Sequence, residues 1–422
     1  MEKPCSLCAL CVFAVKIQFG QECLTSKGSL LDKGCWVITA GAFASMSFIG
    51  MSRTFLGTAL PAIRSSLDLS LVQAGMFTVC LQFGFACAVF AGGLLSDVFK
   101  KSALLLLGCL LTGVNLLLFG LSPWFWVNLI AMIFVGIGTG LNEASSDPLL
   151  IQLFPGREST VMNLHHFFYS FGSFVGPPII GVLLAKSLPW QWGYIGFGLF
   201  VLAVFLFLSS QKISSPQSPR KFDFIPVRKM LNQRFFWILF WVTFCTMGVQ
   251  NSIAYWIVTF LKEERGFSIP LASASLSLFF VCMAVGRLLS SYVTMKLHDV
   301  VLLISLFSLH FVSLLITVSV PGLWVLPFLM LCGFAQSAVF PCLLALTGRL
   351  YPQNPGTAMG LISTGAGLGS MTVPWLLALV SQLTSLQTGF LFLDVFLLIC
   401  LGLMGLGFKG FKMAQSQAMI HR

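Results

Sequence analysis

Ionisable side chains stand inside an otherwise apolar region of the chain, between residues 136 and 178. Glu143 and Asp147 are four residues apart, which places both carboxylates on one face of a helix. His165 and His166 follow near the start of the next apolar run. Charged groups are costly in hydrocarbon, and by default they mark a pathway or a binding site there. These residues therefore offer two kinds of chemistry, the exchange of protons and the binding of a polar molecule.

Glu143 has two interpretations. In apolar surroundings the charged form of a carboxylate is disfavoured, so Glu143 can take up and release a proton as access to it alternates. The alternative is a fixed ion pair with Arg53 that only joins two helices. We favour proton exchange, because such groups are seldom buried in a membrane without a role. Asp147 is close enough to share charge with Glu143, and an ion pair at the helix end is an equal alternative for it.

Arg53 lies eight residues before Pro61, deep enough in the first apolar run to need a partner. The guanidinium can shift the pKa of Glu143, bind a substrate, or do both. Its planar fork also suits a carboxylate or a phosphate, so an organic anion stays open as the substrate.

Four side chains near the histidines share one helical face, since they are spaced by three, three and four residues: Asn163, His166, Tyr169 and Ser173. Polar and aromatic groups on one face suit a sugar, whose hydroxyls need hydrogen bonds and whose CH face packs on rings. A structural hydrogen-bonding role is the alternative for His166, and it is favoured for His165, which lies on the adjacent face.

The carboxyl-terminal half offers uncharged polar groups. Gln250, Asn251 and Tyr255 fall in one apolar run, and Asn251 and Tyr255 share a face. Such side chains can hydrogen-bond a neutral polyol, or they can join helices to each other. Asn142 and Gln336 are further candidates for contact with a solute.

The composition is that of a membrane protein with several spans. Of 422 residues, 57% are hydrophobic and 9% are charged, and the mean hydropathy is +0.94; soluble proteins have about 25% charged residues. The net charge of +11 does not indicate a nucleic-acid partner, because the basic residues fall in short breaks between apolar runs. Most of the 13 cysteines lie within the runs and behave there as small hydrophobes.

Enzyme and metal motifs are not found in the sequence. Cys5, Cys8 and Cys11 have the spacing of an iron–sulfur site, but the fourth cysteine followed by proline is missing. Asp394 and His310 lie in apolar runs without a motif around them, and no role is assigned to them. With no P-loop, nucleophile elbow or HExxH pattern, we expect no enzymatic activity, no cofactor and no metal.

Twelve apolar runs are long enough to cross about 30 Å of hydrocarbon as helices, so we expect an all-α polytopic fold. They lie near residues 36 to 61, 72 to 96, 101 to 122, 125 to 154, 160 to 186, 191 to 210, 234 to 261, 271 to 293, 299 to 319, 322 to 350, 356 to 382 and 386 to 408. A polar, proline-rich and basic segment, 211–233, predicts a cytoplasmic linker between two six-helix bundles, 36–210 and 234–410. Residues 1–35 and 411–422 are expected to be tails.

The basic residues predict the orientation. With both termini in the cytoplasm, most of the 24 Lys and Arg residues fall in cytoplasmic segments, and few fall on the opposite side. We therefore expect a monomeric multi-pass protein of the plasma membrane, or of a bacterial inner membrane.

The two halves repeat each other. A shift of 197 places residues 153–163 over 350–360, with Pro155 over Pro352 and Gly172 over Gly369. Parallel six-helix repeats of this kind describe the major facilitator superfamily, whose members bind substrate midway at the repeat interface.

A loop motif strengthens the resemblance to that superfamily. The stretch GGLLSDVFKK, residues 92–101, resembles the superfamily's motif between the second and third helices, although Val98 and Phe99 replace a usual Arg and Gly. The resemblance implies a gating role for these residues and for their counterparts in the second half. The candidates are Gly92, Gly93, Asp97, Lys101, Gly286 and Arg287.

The region from 143 to 173 resembles the fucose permease branch, which includes proton-coupled sugar symporters and animal glucose-transporter-like members. The resemblance is carried by Glu143 followed by Pro148, by the later LFP, and by the pattern NLxxxFxSFG. It implies that Glu143 couples protons or contacts sugar, and that His166 and Tyr169 line the substrate. The chain departs from proton-coupled members at Gly57, where they have an acidic residue.

These observations predict a secondary active transporter that moves a small polar solute, a sugar, together with protons. An organic-anion or drug-like exporter that uses Arg53 is the second interpretation. A transport-dead membrane receptor is the third. The expected partners are the solute, protons and the lipid bilayer.

Overall fold

The computed structural model describes residues 33–98, 100–153, 158–211, 230–293, 298–351 and 355–420, and every regular element in these ranges is helical. The cysteine-rich amino terminus and nearly all of the predicted linker lie outside the described residues. The α-helices are α1 (Lys33–Ser66), α2 (Leu71–Val98), α3 (Lys101–Leu121), α4 (Phe125–Leu153), α5 (Glu158–Ala185), α6 (Trp190–Ser209), α7 (Arg234–Glu263), α8 (Ile269–Val293), α9 (Asp299–Ser319), α10 (Val325–Gln336), α11 (Val339–Leu350), α12 (Pro355–Leu383) and α13 (Leu386–Ile420).

The described part of the chain contains eleven segments that are long and apolar enough to cross a membrane. They follow the predicted runs from the second onward. The first predicted run forms α1, which is 34 residues long and is not among the eleven. The protein is therefore an all-α, multi-pass membrane protein, as the sequence predicts.

The tenth predicted span is broken in the middle. A short 3-10 turn and α10 lead to Gln336, and α11 begins at Val339. Pro341 explains the break, because its ring clashes with the carbonyl four residues earlier, that of Ser337, and it has no N–H to donate. The freed Ser337 carbonyl accepts a hydrogen bond of 3.2 Å from Nε of Arg287 on α8. The predicted gating residue Arg287 thus satisfies an otherwise unpaired backbone group.

Glycines bring equivalent helices of the two halves into backbone contact. A Cβ on Gly172 of α5 would overlap the carbonyl oxygen of Ser47 of α1, and a Cβ on Gly369 of α12 would overlap that of Phe244 of α7. The shift of 197 that relates the two glycines also relates Ser47 to Phe244. The same helix pair is therefore packed in the same way in each half of the sequence.

The chain forms two compact units that do not follow the sequence halves at every point. One unit contains the described residues up to Arg53, Phe83–Gly176, and those from Leu188 up to the linker. The other contains Thr54–Gln82, Pro177–Ser187 and the described residues after the linker. The division into bundles 36–210 and 234–410 stays a prediction.

Within the second unit, the ends of α1 and α2 contact helices of the carboxyl-terminal half. Arg64 donates two hydrogen bonds to the Glu263 carboxylate, of 2.7 and 3.0 Å. The backbone N–H of Val72 donates to the side chain of Gln382 at 3.0 Å.

Gly57 lies at the tightest point of this contact. A Cβ added to Gly57 would overlap the backbone carbonyl oxygen of Ala254 in α7. Side chains larger than hydrogen at this position therefore push α1 away from α7.

We predict that Gly57→Ala favours a state in which α1 and α7 are separated. Overpacking typically costs about 1–3 kcal/mol, and about 1.4 kcal/mol changes an equilibrium tenfold. The measurement is the distance distribution between spin labels at Ser65 and Glu264, which should gain a longer component.

Gly402→Ala in α13 is the matched control, because a Cβ there meets nothing within 4 Å. A distribution in Gly57→Ala that is identical to that of the parent and the control would contradict the prediction.

Candidate functional site

The ionisable residues found in the sequence come together on three helices of the first unit. Helix α4 carries Glu143 and Asp147, α5 carries the histidines, and α1 carries Arg53. A buried apolar cluster joins α1, α3 and α4. It consists of Ile38, Leu105 and Leu149, one residue from each of these helices. Further along, Phe43 of α1 stacks on Phe168 of α5, with ring centroids 5.0 Å apart. Apolar packing therefore positions the polar groups.

His165 links all three helices. Its Nδ1 lies 3.0 Å from Oδ1 of Asp147 on α4, and its Nε2 lies 3.1 Å from the carbonyl oxygen of Ala42 on α1. The imidazole is completely buried. A carbonyl oxygen can only accept, so Nε2 carries a hydrogen. The contact with Asp147 is therefore made by Nδ1, the other ring nitrogen.

Arg53 is held between two aromatic rings. The guanidinium carbon lies 4.8 Å from the ring centroid of Phe85 on α2 and 5.6 Å from that of Tyr169 on α5. Its Nη1 donates to the phenolic oxygen of Tyr169 at 3.3 Å. Cation–π contacts of desolvated groups are worth up to about 2 kcal/mol each. The two rings and the phenolic oxygen thereby stabilise the positive charge.

Glu143 lies half-buried within the electrostatic reach of three other groups, those of Arg53, Asp147 and His165. The carboxylate thus has a cation on α1 and the histidine–aspartate pair around it. Four ionisable side chains influence one another in this part of α1, α4 and α5.

The remaining candidate residues of the first unit differ in their surroundings. The amide oxygen of Asn142, which is fully buried, accepts a hydrogen bond of 3.8 Å from the Cys109 thiol of α3, so this side chain joins two helices. Ser173 is buried where α5 meets Gly50 of α1. The side chain of Asn163 lies outside the described part of the structure.

The uncharged candidates in the second unit form bonds between helices. Asn251 of α7 donates to Ser370 of α12 at 2.8 Å. Gln336 of α10 donates to the backbone oxygen of Thr246 at 3.2 Å and to the Gln250 amide oxygen at 3.3 Å. Tyr255 is fully buried in α7. The amide groups of Asn251, Gln336 and Gln250 thus take part in hydrogen bonds between side chains or helices, and contact with a solute stays a prediction for all four residues.

The gating candidates fall into two groups. Gly92, Gly93 and Asp97 lie in the last turns of α2, and their side chains are outside the described part of the structure. Lys101 is buried at the start of α3. In the second half, a Cβ on Gly286 would overlap the Ser337 side chain, so this glycine permits α8 to approach the break before α11.

Two features of the site have no signal in the sequence. The Ala42 carbonyl that orients His165 is 123 residues away and belongs to an unremarkable apolar residue. Phe85 covers Arg53, yet it is one of 42 phenylalanines. Their importance follows only from the contact of His165 with α1 and from that of Arg53 with α2.

A family model described as Major Facilitator Superfamily matches residues 42–351 and 261–410. The chain belongs to this superfamily. Its place there agrees with the helical fold and with the internal repeat. The protein is therefore a membrane transporter by family rather than an enzyme.

Distant relatives within the superfamily have different named solutes. The chain is 24% identical over 382 residues to the sodium-dependent glucose transporter 1 of Danio rerio, covering 81% of this chain and 64% of that protein. It is 23% identical over 367 residues to the probable sulfoacetate transporter SauU of Cupriavidus necator, covering 79% and 84%. A crystal structure of a variant of the E. coli fucose:proton symporter FucP has a TM-score of 0.59 at 16% identity, covering 86% of this chain and 98% of that chain.

We predict that His165→Leu lowers the midpoint of thermal unfolding of the purified protein. The substitution removes the bond to Ala42 and leaves the partly exposed Asp147 carboxylate without its partner. Breaking a fully buried pair costs about 3–5 kcal/mol, so we expect a smaller loss here. The double variant His165→Leu, Asp147→Leu should be more stable than His165→Leu alone, because no unpaired carboxylate remains.

His310→Leu serves as the control, since His310 is equally buried but lies in α9 of the second unit. Additive losses in the double variant would show that His165 and Asp147 do not act as a pair.

Proposed function

We propose that this superfamily member is a secondary active transporter that moves a small polar solute of the sugar class together with protons. The observation that carries the proposal is the position of Glu143. Its carboxyl group lies in a membrane-spanning helix, half-buried, beside a cation and a histidine–aspartate pair. Intramembrane carboxylates with such neighbours form the proton relays of transporters.

The surroundings of Arg53 explain how Glu143 can change its protonation state. When Glu143 is ionised, the guanidinium balances its charge. When Glu143 takes up a proton, the rings of Phe85 and Tyr169 and the phenolic oxygen still stabilise Arg53. The arginine charge is thus stabilised by the carboxylate in one state and by neutral groups in the other. Asp147 contributes through its contact with His165.

The sugar class is supported by the aromatic and polar groups near this centre. Tyr169 and His166 are three residues apart on α5 and lie on one face. Rings and hydrogen-bonding groups together suit a polyol. The names of the Danio rerio glucose transporter and of the fucose:proton symporter support the same class.

Alternating access would expose this centre to each side in turn. The contacts of Arg64 with Glu263 and of Val72 with Gln382 close one end of the second unit. With both termini in the cytoplasm, as the basic residues indicate, that end is extracellular. We place the protein in the plasma membrane or a bacterial inner membrane, as a monomer.

We predict that Glu143→Gln abolishes accumulation driven by a proton gradient in proteoliposomes. One pH unit supplies about 1.4 kcal/mol per proton, which supports about tenfold accumulation at one proton per solute. The parent should concentrate labelled sugar accordingly, whereas the variant should only equilibrate it. Exchange of labelled for unlabelled sugar should persist in the variant.

Asp394→Asn provides the control, because Asp394 is a buried carboxylate of α13 in the second unit. Retained accumulation in Glu143→Gln would remove Glu143 from proton coupling. Accumulation that follows a sodium gradient in the parent would reject protons as the coupling ion.

Transport of an organic anion is the second candidate function. Arg53 presents a planar fork that suits a carboxylate or a sulfonate, and one relative is named a probable sulfoacetate transporter. Gly57 also favours anion transport, because proton-coupled members of the fucose permease branch, which the chain resembles, have an acidic residue at this position.

Arg53→Lys distinguishes the two candidates. Lysine keeps the charge but loses the fork and its flat stacking on Phe85 and Tyr169. If the substrate is an anion held by the fork, the variant should lose ligand-induced thermal stabilisation by sulfonates and carboxylates selectively. Stabilisation of the parent by neutral sugars alone would exclude the anion candidate.

A further inference from the structure

Asp147, His165 and His166 form a cluster that proton coupling does not fully use. Each offers one ligand atom, and the three atoms lie within 4.8 Å of one another. We propose that these side chains bind a divalent transition-metal ion, with zinc as the expected cation. Sequence motifs indicated no metal, because the ligands come from two helices and match no metal-binding spacing.

The distances suit a metal of this size. Zinc bonds nitrogen and oxygen at about 2.0–2.2 Å, so two ligands of a tetrahedral site lie roughly 3.4 Å apart. His165 Nδ1 and Asp147 Oδ1 are 3.0 Å apart. The third ligand atom, on His166, is within 4.8 Å of both. In a tetrahedral site the His166 atom would come closer to the other two, through rotation of its half-buried side chain.

The orientation of His165 is already that of a metal ligand. Its Nε2 donates to the Ala42 carbonyl, which directs Nδ1 at the Asp147 carboxylate. Histidines that bind metals almost always donate their other ring N–H to a carbonyl or a carboxylate, since this fixes the tautomer and the ring. Complete burial holds the ring in that position.

The donor set selects the type of ion. Two imidazole nitrogens and one carboxylate oxygen suit zinc, iron, nickel and copper, whereas magnesium and calcium prefer oxygen alone. Three protein ligands leave a position for water or for another small ligand. His166 and Asp147 are only half-buried, so this edge of the cluster is partly exposed.

The test is a titration of the purified full chain with cobalt ions and then with zinc ions alone. Cys5, Cys8 and Cys11 are replaced by serine throughout, because thiols also bind these metals. We expect one zinc per chain by calorimetry, and a cobalt spectrum without thiolate charge-transfer bands. The proposal concerns binding, so its outcome does not depend on the transported solute.

The ligand variants are His166→Gln and Asp147→Asn. Each should weaken zinc binding at least about tenfold, since even the loss of a supporting group costs 10–100-fold. The matched controls His310→Gln and Asp394→Asn change the same residue types, both buried, in the second unit. These two should bind zinc as the parent does.

Three results would overturn the proposal. One is the absence of stoichiometric zinc binding to the parent. Another is equal affinity in the parent, His166→Gln and Asp147→Asn when all three elute as monodisperse protein. The third is a cobalt spectrum dominated by thiolate charge transfer, which would place the metal on the remaining cysteines.

Discussion

A positive charge on the first helix of a membrane protein has to be stabilised without water, and much of the amino-terminal half is arranged to do so around Arg53. The guanidinium lies between rings from α2 and α5 and donates to a phenolic oxygen. This requires α1 and α5 to be very close. Gly50 and Gly172 supply that closeness, because a Cβ on either would overlap the backbone of the other helix. The glycines and the arginine therefore depend on each other.

The two halves share a scaffold but not a chemistry. The packing of Gly172 on Ser47 is repeated by Gly369 on Phe244, one repeat length further along. The positions that correspond to Glu143 and Asp147 are occupied by Phe340 and Leu344. Helix contacts are thus kept by backbone geometry that both halves need, whereas at these two repeat positions the ionisable groups occur in the amino-terminal half only. Under the proposed function, asymmetry of this kind confines proton exchange to α1, α4 and α5.

The fold could be predicted from the sequence because the bilayer leaves few alternatives: a backbone in hydrocarbon must satisfy its own hydrogen bonds, and about 20 apolar residues are needed to cross. Even the break in the tenth span has a local signal in Pro341. The site was harder to predict. His166 matched a motif and His165 did not, yet His165 contacts both Asp147 and Ala42. A hydrogen bond to a backbone carbonyl of another helix cannot be predicted from residue types, because every residue has such a carbonyl.

Gly57 shows how packing and chemistry constrain each other. The sequence presents it only as a missing acid. In the structure the residue touches the Ala254 backbone so closely that no side chain fits. A carboxylate at this position would need α1 and α7 to separate here, and it would then need a partner of its own. The close contact and a second carboxylate on α1 thus exclude each other in this conformation. In the proposed mechanism, Glu143 is therefore left to exchange protons beside Arg53 without a second acid on α1.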